Sequence, residues 1–143
     1  VKAPPKVLLV PVDFSDVSHR ALEHAQMLAR LVPDARIVLV HVVDATPTPM
    51  ATDFMAQVPR TDMGAEADAA KKGLIAWAKG SPNTTSDVRT GAPADEILAA
   101  AKDAGAEMIV IGTHGRKGVA RALLGSVAED VARRASVPVV LVH

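Results

Sequence analysis

Three glycines and a serine near the end of the chain have the spacing best suited to chemistry. Gly112 follows the apolar run EMIVI, Gly115 lies three positions on, and Gly125–Ser126 comes after an intervening stretch of nine residues. Without a Cβ, such a backbone turns sharply and passes close to a bound group. Gly125–Ser126 also opens the last helical pattern. A helix start offers unpaired N–H groups and the positive end of the helix dipole, which suit a phosphate, and the Ser126 hydroxyl adds a donor. Arg116 to Leu124 then read as an arch around a triphosphate, with Arg116 and Lys117 supplying positive charge at its mouth. A plainer reading uses the same residues. Ser126 and Glu129 make the capping-box pattern S-x-x-E, and Gly112 can be an ordinary strand-to-loop glycine. Neither G-x-x-x-x-G-K-[ST] nor G-x-G-x-x-G occurs, which excludes the two commonest phosphate loops.

The elements that must hold these residues are legible as alternating patterns. KVLLVPV, RIVLVHVV, SDVRTG, EMIVIG and VPVVLVH are short, and four of them are nearly continuous apolar runs, as strands covered on both faces should be. Between them lie helical patterns. SDVSHRALEHAQMLARLVP offers Ser15 and Asp16 as N-caps, places Leu22, Ala25, Leu28 and Ala29 on one face and stops at Pro33. TDMGAEADAAKKGLIAWAKG and APADEILAAAKDAG read as the next two helices, the latter with Pro93 near its first turn and Gly105 at its end. The last runs from about Ser126 to Ala135, with Val127, Ala128 and Val131 inward. Strand–helix alternation without hairpin signals predicts parallel strands joined by right-handed crossovers, a doubly wound α/β sheet with helices on both faces. Ligands of such sheets bind beyond the carboxyl ends of the strands, where the strand order reverses. Asp44 to Arg60, with three prolines and two methionines, has no period and reads as a long excursion, either a lid or partner-binding loop or a surface insertion.

Composition narrows the function classes. The 143 residues suit a single domain spanning 1–143. Sixteen Lys plus Arg balance sixteen Asp plus Glu, so no overall field gathers a polyanion, and two Phe, one Trp and no Tyr leave few stacking platforms for nucleic acid. The absence of Cys excludes thiolate catalysis and cysteine-ligated metals. The five histidines, at 19, 24, 41, 114 and 143, have no metal-ligand spacing. The opening VKAPPKVLLVPVDFSD is neither a signal peptide nor a membrane span, so the expectation is a cytoplasmic protein.

The pattern G-x2-G-x9-G-S after an apolar strand, together with PVDFSD after the first strand and HVVD after the second, resembles the universal stress protein family. The likeness runs over essentially the whole chain, from KVLLVPVDFSDVSHRAL through GAPADEIL and MIVIGTHGRKG to SVPVVLV. The family includes an ATP-binding class and a class without the glycine motif, and this sequence is similar to the former. The resemblance implies a five-stranded parallel sheet in the order 3-2-1-4-5 and an adenine-nucleotide partner, ATP with Mg²⁺. It implies that Asp13 contacts the nucleoside, that Val42 holds the adenine through its backbone, and that Gly112, Gly115, Arg116, Gly125 and Ser126 wrap the phosphates. A carboxylate at a strand's end suits ribose hydroxyls. Asp13 can equally serve, with Ser15 and Asp16, as a helix cap. His114 is either a phosphate contact or a solvent-facing turn residue. In the implied strand order VPVVLVH is an open edge without the charges that normally blunt one, which predicts a two-fold homodimer through this strand. With no Walker-type Lys and no carboxylate inside the glycine motif, a nucleotide-dependent regulatory module is expected rather than a fast enzyme, the alternative being a slow ATP hydrolase.

Overall fold

The computed structural model describes residues 3–46, 63–115 and 124–143. Along them run β1 (Val7–Pro11), α1 (Asp16–Arg30), β2 (Arg36–Asp44), α2 (Met63–Ala78), β3 (Thr84–Gly91), α3 (Pro93–Ala104), β4 (Met108–Gly112), α4 (Ser126–Arg134) and β5 (Val139–Val142). All strand pairs are parallel, in the order β3-β2-β1-β4-β5. This is the doubly wound sheet that the alternation and the family likeness predict.

The continuous apolar runs are explained by two cores, one on each face. Leu8, Val10, Ile37, Leu39 and Val110 pack with Leu22 and Ala25 of α1 and Leu74 of α2. Their neighbours Leu9, Val38, Val40, Ile109 and Ile111 face the other way, onto Ala94, Ile97, Ala100 and Ala101 of α3 and Ala128 and Val131 of α4. Each fully buried Leu or Ile stabilises the fold by about 1.5–3 kcal/mol, so both faces of the sheet hold the strands in register.

Local signals fix the helix ends. Ser15 caps α1, its Oγ accepting from Ser18 N–H at 3.2 Å. On the predicted inner face Leu22 and Ala25 are buried, while Leu28 and Ala29 are partly buried against the same core. The helix stops at Arg30, before Pro33, and Asp34 at φ 62° helps to reverse the chain into β2. α3 starts with Pro93 in its first turn and ends at Gly105, in the left-handed region at φ 64°. Arg89 of β3 clamps α3 to the sheet. Its Nε donates to Glu96 Oε2 at 2.8 Å and its Nη1 to Asp103 Oδ2 at 3.1 Å and Asp87 Oδ2 at 3.2 Å. The Glu96 hydrogen bond above all, with those of Asp87 and Asp103, outweighs burial and raises the guanidinium pKa above its ordinary value. Among the described residues no helix is long and apolar enough to cross a membrane.

Candidate functional site

The strand order reverses between β1 and β4, so the crevice of a doubly wound sheet lies beyond their carboxyl ends. Asp13 follows β1, and Gly112 closes β4. The two ends meet. A Cβ built on Gly115 would stand 2.8 Å from Asp13 Oδ2. The other oxygen, Oδ1, accepts from Ser15 N–H at 3.0 Å, so Asp13 supports the entry to α1 while reaching the glycine loop.

The three glycines have different neighbours. A Cβ on Gly112 would meet Val17 Cγ1 at 2.7 Å and the backbone of Val17 and Ser18 at 3.2 and 3.3 Å, so this glycine admits the first turn of α1 against β4. Gly115 faces Asp13. Gly125 crosses the chain leaving β4: its N–H donates to Thr113 C=O at 2.5 Å, and a Cβ there would stand 2.9 Å from the same oxygen. The N–H of Gly125 is therefore committed to the crossing.

α4 begins without a side-chain cap. Gly125 is its N-cap, and Ser126 is the first helical residue. The capping box does not form, because Ser126 stands one residue inside the helix rather than at the N-cap, and Glu129 accepts from Arg133 Nη2 at 2.7 Å. Ser126 is exposed. It borders a hollow of about 250 Å³ with Pro93, Asp95, Val127 and Asp130, across which Arg134 pairs with Asp95 at 2.8 Å and Asp130 at 3.1 Å. Thr113 is fully buried, its N–H donating to Val142 C=O at 2.8 Å. His114 is not a solvent-facing turn residue: it is half-buried, and its fully buried Nδ1 has no hydrogen-bond partner among the described residues. A buried polar atom left unpaired costs about 1–3 kcal/mol. Nothing in the spacing of the motif foretells that burial.

Val42 lies in β2 with its side chain half-buried. Even-numbered residues of β2 turn their backbone groups toward β1, as Arg36 N–H to Lys6 C=O and Val40 C=O to Val12 N–H attest. The ladder with β1 stops at the Pro11–Val40 rung, whereas the ladder with β3 continues to Asp44 and Gly91. Alternation thus points Val42 N–H and C=O into the space beyond the end of β1. Three residues past the end of β1, Phe14 departs from the extended conformation at φ 64°. Its ring is held 5.1 Å from that of His41 and 5.4 Å from that of Trp77, and Trp77 also packs edge-on to His19 at 5.1 Å. A Cβ on Gly73 would stand 2.7 Å from the Phe14 ring, so α2 presses directly on it.

Arg116 and Lys117 lie outside the described residues, as do 47–62, most of the predicted excursion. A second hollow, of about 360 Å³, opens at the opposite end of the sheet between Arg30, Asp34, Ile37 and Asn83, far from any predicted site residue.

Comparison with known proteins extends the picture. The sequence model of the universal stress protein family matches residues 5–143. Universal stress protein MJ0531 of Methanocaldococcus jannaschii is 32% identical over 96% of this chain and 81% of its own length. Among solved structures, that of MJ0577, from the same organism, superposes with a TM-score of 0.82 at 27% identity, covering 98% of this chain and 96% of the other. A universal stress protein in complex with cAMP superposes with a TM-score of 0.70 at 26% identity, covering 99% of both chains.

Proposed function

Because this chain belongs to the universal stress protein family, a family of stress-response proteins, we propose that it is an adenine-nucleotide-binding regulatory module of the ATP-binding class. One observation carries the reading: Asp13, the Val42 backbone edge, Gly115 and the uncapped start of α4 all lie at the carboxyl ends of β1, β2 and β4, around the strand-order reversal. Each suits one part of the ligand. The Val42 edge pairs with a base, the Asp13 carboxylate accepts from ribose hydroxyls, and the first N–H groups of α4 with Ser126 Oγ stabilise phosphate. Gly112 and Gly125 shape the loop, Gly115 leaves room in it, and Arg116 adds charge. The cAMP bound by a 26% identical relative supports the same ligand class. The module would act in the cytoplasm by changing shape or partner affinity with occupancy.

Mg²⁺ accompanies the triphosphate in this reading. Among the described residues no three His, Asp or Glu side chains converge to hold an ion. Phosphate oxygens and water would fill its octahedral shell. Mass spectrometry of small molecules released on denaturing the purified protein tests the class. Recovered adenine nucleotide is expected; its absence, with no calorimetric binding of ATP, defeats the reading.

Hydrolysis is expected to be far slower than the ~10 s⁻¹ typical of enzymes, since phosphoryl transfer needs a group that orients water and the glycine motif contains no carboxylate. A steady-state phosphate-release assay measures this. Robust turnover, lost on replacing Asp13, would identify an enzyme.

The open edge at β5 supports assembly. Leu141 is 38% exposed on a strand whose other residues are half-buried. Two such strands running antiparallel would satisfy each other's backbone groups and bury the valines in a two-fold homodimer. Leu141→Lys adds a charge to this edge, so the variant should scatter light as a monomer while the unchanged chain scatters as a dimer. Equal masses for the two would dismiss this strand as the interface.

A further inference from the structure

The ladder between β1 and β2 stops at the Pro11–Val40 rung, and a side chain stands at the break. Regular pairing would have Val42 N–H donate to Val12 C=O, the bond that follows the one from Val12 N–H to Val40 C=O. At that carbonyl stands His41, its Nδ1 lying 2.7 Å from Val12 O. A carbonyl can only accept, so the proton of this hydrogen bond sits on Nδ1. The imidazole is fixed there by the Phe14 ring at 5.1 Å. Phe14, two residues on, leaves the extended conformation at φ 64°.

We infer that His41 is a positioning residue that sets base specificity: by occupying Val12 C=O, it releases the Val42 backbone to read a purine. The inference rests on the nucleotide-binding reading above and says which nucleotide the site prefers. A free N–H beside a free C=O on one residue seeks an acceptor next to a donor. Adenine offers that pair along one edge, in N1 and the N6 amino group, whereas guanine presents N1–H and O6, the opposite polarity. A mismatched base leaves two desolvated groups facing like groups, which costs more than a missing bond.

The test compares the unchanged protein with His41→Val and His41→Asn. The asparagine side-chain nitrogen is as many bonds from Cα as Nδ1 and can donate to the same carbonyl. ATP and GTP are titrated by calorimetry, and hydrogen exchange at the Val42 amide is followed by NMR without nucleotide. In His41→Val the rung should close: Val42 N–H becomes protected, ATP affinity falls about tenfold, the scale of one hydrogen bond, and the ratio of ATP to GTP affinity moves toward one. His41→Asn should restore both the fast exchange and the ratio. An unaltered ratio in His41→Val, or a Val42 amide already protected in the unchanged protein, overturns this inference and leaves nucleotide binding standing. An unchanged protein that binds neither triphosphate overturns both.

Discussion

Replacing Gly115 with valine is expected to abolish adenine-nucleotide binding while leaving the melting temperature close to that of the unchanged protein. Gly115 is exposed, and its φ lies outside the left-handed region, so the backbone accepts a side chain without strain. The first atom that side chain meets is Asp13 Oδ2 at 2.8 Å, the far end of a side chain that can rotate aside. The fold therefore loses little. The site loses two things together, because valine fills the space proposed for phosphate and displaces the carboxylate proposed for ribose. A loss of more than about 100-fold in affinity, equivalent to about 2.7 kcal/mol, should follow in calorimetry. Undiminished affinity in a folded variant would remove Gly115 from the site.

The same substitution at Gly112 is expected to act on stability instead. There a Cβ meets Val17 Cγ1 at 2.7 Å and the backbone of α1 at 3.2 and 3.3 Å. Helix backbone, anchored here by the buried Ser18, cannot swing aside as a side chain can, so α1 must shift on β4. Overpacking of this kind costs about 1–3 kcal/mol, and the upper end lowers the melting temperature of a chain this size by about 10 °C. Calorimetric melting without nucleotide measures it directly. A melting temperature unchanged by Gly112→Val would mean that α1 does not bear on β4 as described.

The contrast between these glycines shows where sequence reasoning reaches its limit. Spacing marks Gly112, Gly115 and Gly125 as one motif, and the structure brings all three to the end of β4. Spacing does not tell that Gly112 serves a helix, because that depends on how closely α1 crosses the strand. The sheet itself was legible, since runs such as VLLV and IVLV are apolar at every position only when both faces are covered. Its strand order came from family likeness rather than from the pattern. Ser126 matched a capping box, yet Gly125 is the N-cap and Glu129 turns to Arg133. Phe14 at positive φ and His41 bonded to Val12 C=O were hidden for a common reason. Both are choices between competing partners for one backbone group, and residue type alone does not rank them.

The aromatic cluster behind Asp13 has a practical consequence. Trp77 is the only tryptophan in the chain, and its indole stands 5.4 Å from Phe14, the residue next to Asp13 in sequence. Indole emission depends on the polarity and contacts around the ring, and here those contacts are Phe14 and His19. The protein thus carries a built-in optical gauge, with no second tryptophan to blur its signal. Movement of the turn after β1 becomes visible as a shift in colour or brightness, without a dye and without altering a residue.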